Sequence, residues 1–223
     1  MRASIKTLAT WWPKATCQFC IGCDASVKRD STALVAVCWD DANQRIRLVT
    51  HRIFQPSADN PIDFEAMVEA TLLDWHRRFD VRQVLFDPYQ MISSAQRLQR
   101  DGVVMEEFPQ TVPNLTEAGN NFYELIKGRN LLLYADPVIR TAVSRTVAVE
   151  TPRGWRLGKS QQVAKIDVVV ALAMAALAAV RAQQNFYDLD AMADVTPDDK
   201  LGIGAWRALR LSMYLHSNGT IRL

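Results

Sequence analysis

The chain lacks an apolar run long enough to cross a bilayer as a helix. The longest, Val168–Val180, has thirteen residues and is rich in alanine, against the roughly 18 to 20 that a span requires. It reads as a buried core helix, and no membrane partner is expected. The first residues carry positive charge, but no apolar stretch of signal-peptide length follows, so the expected compartment is the cytoplasm. Charge of one sign is also lacking: 26 Lys and Arg face 24 Asp and Glu, a net +2. A polyanion site therefore has to come from local clustering. The three histidines, His51, His76 and His216, are too scattered to make a recognisable metal motif. The four cysteines, Cys17, Cys20, Cys23 and Cys38, all lie in the first forty residues. The Cys-x-x-Cys-x-x-Cys spacing of the first three invites a zinc reading, but a zinc site needs a fourth ligand and usually a second knuckle. Their stretch is apolar and strand-like, where reduced cysteine serves as a small hydrophobe. No Gly-x-x-x-x-Gly-Lys-Ser/Thr loop occurs. The nearest match, Gly154 to Ser160, is one residue short and follows a hairpin.

What remains is an ordinary globular composition, 49% hydrophobic and 22% charged over 223 residues, enough for one domain of ordinary to large size. Residues 17–23, 32–39 and 45–54 are three apolar, β-branched runs joined by short polar links, an antiparallel meander. Asn60, Pro61 and Asp63 open a helix that carries Phe64, Met67, Val68, Leu72, Trp75 and Phe79 at helical spacing. A strand at 81–86 ends at Asp87-Pro88, a helix covers 93–100 to the Asp101-Gly102 stop, and a parallel strand follows at 103–108. Helices over 116–126 and 137–144, a short extended segment at 131–134, a hairpin over 147–157 and the alanine-rich helix 166–182 complete the order. The expected architecture is α/β and ribonuclease H-like. It has a central mixed five-stranded sheet, three strands in an antiparallel meander plus two parallel strands, flanked by helices. Residues 1–16 form an arm in this reading, 17–183 the domain and 184–223 a C-terminal tail.

Such a topology makes the first strand neighbour the strand 81–86, and each ends in a carboxylate, Asp24 and Asp87. Asp167 opens an otherwise apolar helix, where a lone buried charge costs several kcal/mol unless paired or bound to a cation. Three convergent acids suit Mg²⁺ or Mn²⁺, and two such ions can activate water and stabilise the leaving oxygen in phosphodiester hydrolysis. Taken singly, each acid also has a local explanation, in a turn or at a helix start.

Three segments carry a resemblance: Gly22-Cys23-Asp24-Ala25-Ser26 with Asp30-Ser31-Thr32-Ala33, then Leu85-Phe86-Asp87-Pro88-Tyr89, then Lys165-Ile166-Asp167 with Ala171 to Ala175. In this order they resemble the nuclease domain of tailed-phage terminase large subunits, over about Ile21 to Ala182. The resemblance implies a metal-dependent endonuclease, with Asp24, Asp87 and Asp167 as catalytic and metal-binding acids. It further implies action on double-stranded viral DNA during genome packaging, in the cytoplasm of an infected or lysogenic bacterium. It implies as partners an ATPase motor, a small terminase subunit and the portal. Asp30 matches a second acid that either lines the metal site or caps the strand turn. Ile166 and Val170 stand where the family often has further acids, and Tyr134-Ala135-Asp136-Pro137 stands where a histidine-containing segment is common.

Between Ile139 and Lys165 six basic residues, among them Arg145, Arg153, Arg156, Lys159 and Lys165, face the single acid Glu150. This cluster either holds the DNA backbone, with Trp155 against a base or sugar, or is a solvated hairpin. Lys165 either contacts phosphate or pairs with a carboxylate. Trp11-Trp12 reads as a packing pair. Two other functions fit the same residues: a different ribonuclease H-like enzyme, such as a Holliday-junction resolvase or transposase-like strand transferase, and a packaging-complex docking module with a vestigial site.

Overall fold

The computed structural model describes residues 17–26, 31–41, 43–56 and 62–193, the side chains of 185–193 excepted. Asp30, Asn60, Pro61, Trp11-Trp12, the arm 1–16 and the tail beyond residue 193 lie outside the described residues. The chain divides into two compact units, residues 1–180 and 181–223. The first contains every element below except the last residues of the final helix, which runs from Asp167 to Ala193.

A six-stranded sheet organises the first unit. Its strands are β1 (Phe19–Asp24), β2 (Thr32–Asp40), β3 (Arg45–Phe54), β4 (Val81–Phe86), β5 (Met105–Glu107) and β6 (Leu131–Leu132), arranged β5-β4-β1-β2-β3-β6. The meander β1-β2-β3 is antiparallel, while β4 runs parallel to β1 and β5 parallel to β4. The sixth strand, absent from the five-strand expectation, is a two-residue parallel pairing of Leu131 and Leu132 with Ile46 and Arg47. It is too short to be distinguished from an extended segment by its own sequence.

β2 is buried on both faces, which explains its unbroken apolar run Ala33 to Cys38. Side-chain alternation assigns the faces of β1. Phe19, Ile21 and Cys23 join a core with Val68 of the turn Phe64–Glu69, Leu72 and Trp75 of α1 (Ala70–Arg78) and Met91, Ala95 and Leu98 of α2 (Pro88–Arg100). Gly22 lies on the opposite face against α5 (Asp167–Ala193), where a Cβ would stand 2.0 Å from the Ala171 carbonyl oxygen and 2.8 Å from the Ala175 nitrogen. Helix and strand meet there backbone to backbone, so α5 presents alanines, and residues 171–179 are all buried. An 18-residue window of this helix is apolar enough to span a membrane, but 72% of it is buried in protein, so core packing accounts for its composition.

The helix expected to open at Asn60 instead starts with a π-helical turn, Phe64–Glu69, capped by Asp63, whose Oδ1 accepts from the Ala66 amide at 3.0 Å. The helix expected from Ser93 begins at Pro88. Asp87 caps it, and Pro88 at the first position carries no amide hydrogen to leave unpaired. α3 (Val112–Lys127) likewise begins four residues earlier than its apolar pattern suggests, capped by Thr111. α4 (Pro137–Ser144) is capped by Asp136, which accepts from the Val138 and Ile139 amides. A separate hairpin of β7 (Thr146–Thr151) and β8 (Gly154–Lys159) turns at Gly154, whose φ of +132° suits only glycine.

Candidate active site

Cys23 and Phe86 are register partners in the parallel pair β1 and β4, and the next residue on each chain is an acid, Asp24 and Asp87. Adjacent strands lie about 4.8 Å apart, so the two carboxylates leave neighbouring strand ends at one edge of the sheet. By alternation both belong to the α5 side, two residues beyond Gly22 and Leu85. The Cys23 thiol beneath them is fully buried, and its pKa is driven up by that burial and then by the charges of Asp24 and Asp87. Its Sγ contacts Met91 Sδ at 3.3 Å.

Asp167 reaches the same edge from α5. Its side chain accepts a short hydrogen bond from the Ser31 hydroxyl, across 136 residues of sequence. Ser31 directly precedes β2, whose Ala33 pairs with Asp24. The Thr32 hydroxyl holds this end of the β1–β2 connection, accepting from the Ser26 amide and donating to its carbonyl. The close crossing at Gly22 carries the same result. From Gly22 to Asp24 is about 6.6 Å along a strand, and from Ala171 back to Asp167 about 6 Å along a helix. Both steps lead to one edge. Asp167 is only 6% exposed, and among the described residues Ser31 is its one hydrogen-bonding side chain.

Two further residues are drawn in that sequence reading did not single out as site residues. Gln110, in the loop after β5, donates from Nε2 to Asp24 Oδ1 at 2.7 Å, and Ser31 secures Asp167. Ser31 sits inside a recognisable segment, whereas nothing around Gln110 signals its role. Asp87 Oδ1 accepts from the Tyr89 amide at 3.3 Å while capping α2. Among the described residues no three His, Cys, Asp or Glu side chains stand close enough together to share one ion. The donor chemistry nevertheless fits a hard cation: oxygen ligands only, and one nearly buried carboxylate whose charge meets a single hydroxyl.

The basic cluster is divided by the hairpin. At its turn, the Trp155 amide donates to Asn120 Oδ1 at 2.8 Å, and the Trp155 carbonyl lies against Gly119 of α3. Arg153 and Arg156 belong to this α3-bound end. Lys159 pairs with Thr146 at the other end, and the Ser160 amide is bonded to the Arg145 carbonyl. Arg145 and Lys165 line a cleft of about 460 Å³ together with Asp167. The segment Tyr134 to Pro137 receives a histidine from β3: His51 Nδ1 bonds the Tyr134 hydroxyl, and His51 Nε2 is 3.9 Å from Asp136 Oδ1. Burial holds the His51 pKa below its ordinary value against the opposing charge of Asp136, with Arg52 adding to the depression.

The solved structures share this architecture. The HK97 bacteriophage large terminase superposes with a TM-score of 0.64 at 19% identity, over 78% of this chain and 43% of its own. The fold is that of a large-terminase nuclease domain. The large terminase nuclease from thermophilic phage G20c with bound magnesium matches with a TM-score of 0.58 at 17% identity, over 74% of this chain and 82% of its own. The same nuclease with bound cobalt gives 0.57 at 16%, over 72% and 80%. The terminase-nuclease fold is ribonuclease H-like, as the element order suggests. The chain spans less than half the length of the HK97 protein. No protein-family model and no curated protein matches the sequence itself.

Proposed function

We propose that this protein is a divalent-metal-dependent DNA endonuclease of a phage packaging machine. The observation that supports the reading is that Asp24 and Asp87 follow register-paired residues of β1 and β4, while Ser31, just before β2, bonds Asp167, in a fold like that of terminase nucleases. The magnesium and cobalt bound by the G20c nuclease support a divalent ion here. Asp24, Asp87 and Asp167 would hold two Mg²⁺ or Mn²⁺ ions, with Asp30 as a further ligand. Such ions supply an activated water and stabilise the departing 3′ oxygen.

The chain's own residues do the positioning. Gln110 fixes the rotation of Asp24 through Oδ1, the cap on α2 fixes Asp87, and Ser31 fixes Asp167. Arg145 and Lys165, with Lys159, Arg153 and Arg156 along the hairpin, hold the phosphate backbone of double-stranded DNA. An ATPase motor, a small terminase subunit and the portal are the partners this reading calls for, in the cytoplasm of the bacterial host.

The test is nicking and linearisation of supercoiled plasmid in Mg²⁺, Mn²⁺ or EDTA, beside Asp24→Asn, Asp87→Asn and Asp167→Asn proteins of verified fold. Metal-dependent cleavage abolished by each substitution supports the reading. A second reading, a docking module with a vestigial site, draws on the finding that among the described residues no three acids stand close enough to share an ion. It predicts no cleavage and no metal-induced rise in melting temperature.

A further inference from the structure

The cleft beside Asp167 has a chemistry that backbone contact alone does not explain. Its floor and walls come from Ile53 at the end of β3, from α4 and from the turn before α5, while Arg145 and Lys165 supply its positive charge. Among the described residues neither cation has an ion-pair partner. Val163 and Val138, which also line it, are 85% and 49% exposed, so apolar side chains stand in water in a cleft that holds two cations outside any direct ion pair and the single carboxylate Asp167. Its volume, about 460 Å³, falls in the roughly 300–1,000 Å³ range of small-molecule sites. It is larger than a phosphate needs and too small for a duplex.

We propose that this cleft seats one unpaired nucleotide of the DNA strand, its phosphate on Arg145 and Lys165 and its sugar and base against Ile53, Val138 and Val163. The identity of that nucleotide, one close to the cut, rests on the nuclease reading; the binding chemistry does not. The phosphate gains charge-assisted hydrogen bonds, and the base covers apolar surface that water now covers. Of the three acids only Asp167 lines the cleft, together with Ser31, and Asp24 and Asp87 do not, so it is a holding site next to that pair. A nuclease built this way grips a locally opened strand and prefers DNA that is already frayed next to the cut.

The experiment is calorimetric titration of the full chain in EDTA with thymidine 5′-monophosphate, thymidine and inorganic phosphate. The nucleotide should bind at least about tenfold tighter than either fragment. Arg145→Ala with Lys165→Ala should weaken it by at least about tenfold. Val163→Asp, at a side chain too exposed to matter for folding, should do the same while leaving the protein's melting temperature unchanged. Equal binding of phosphate and nucleotide would reduce the cleft to an anion site and overturn the proposal, as would no binding of the nucleotide. Plasmid cleavage without nucleotide binding would sink this inference alone. Nucleotide binding without cleavage would uphold the cleft and sink the nuclease.

Discussion

Replacing Gly22 by alanine tests the contact on which the site's geometry depends. The added methyl would lie 2.0 Å from the Ala171 carbonyl oxygen, whereas ordinary contact begins at 3.4 Å, a deficit of about 1.4 Å. The obstacle is helix backbone, which cannot rotate aside as a side chain can, and the Ala175 amide blocks the next direction. α5 must therefore lift from β1 along a face buried from Ala171 to Ala179. Overpacking of this kind costs about 1–3 kcal/mol and sometimes more, and a backbone obstacle belongs at the upper end. At about 2–4 °C per kcal/mol for a chain of this size, a 3 kcal/mol loss lowers the melting temperature by roughly 6–12 °C. The lift also displaces Asp167 from Asp24, and a misplacement near 1 Å can cost about 10²-fold in rate. Thermal unfolding and plasmid cleavage measured together check both parts. Ala171→Gly should give no rescue, because the clash is with main-chain atoms. A melting temperature within about 2 °C of wild type would show that α5 does not cross β1 at Gly22.

Three smaller perturbations follow from the same structure. Ser31→Ala leaves the nearly buried Asp167 without its hydroxyl partner and should cost about 1–3 kcal/mol, read as a lower urea midpoint at an unchanged slope. Gln110→Ala should leave stability within about 0.5 kcal/mol yet raise the metal concentration for half-maximal cleavage by about 10–100-fold; an unaltered metal titration would rule out its positioning role. Glu69 gives a pH prediction. Burial alone would raise its pKa, but hydrogen bonds from Arg97 and Ser94 and the charge of Arg97, at 2.5 Å and 3.0 Å in a bidentate pair, hold it below its ordinary 4.5. A depressed folded pKa means that the stabilisation is complete above the unfolded value and lost as pH falls through the folded one. The acid-unfolding curve of Glu69→Gln should therefore lack this step, and overlapping curves for the two proteins would contradict it.

The parts of the fold visible in the sequence are those whose signal is local. β2 announces itself because both faces are buried, and β4 because its apolar run stops at an acid. The starts of α2 and α3 are hidden because Asp87-Pro88 and Thr111 to Pro113 look like turns, although the same residues make an N-cap and a first helical turn. Asp24 and Asp87 were legible as strand ends. Their supports were not: Gln110 lies 86 residues from Asp24, and Ser31 lies 136 from Asp167. The basic cluster was read as one patch because it is continuous in sequence, but the hairpin sends Arg153 and Arg156 to α3 and leaves Arg145 and Lys165 at the cleft.

Under the proposed function Asp87 would serve two masters with one carboxyl group. Its Oδ1 is spent on starting a helix, through the Tyr89 amide, so the orientation of the group is set by the first turn of α2 and not by any ligand. The helix thus acts as a mounting bracket: in the proposed metal site the carboxylate would be aimed before a cation arrives, with little ordering left to do on binding. The same economy makes alanine the wrong probe at this position, since it removes the bracket with the charge. Asparagine, which caps helices as well as aspartate, removes the charge alone and makes folding and chemistry separable at a single residue.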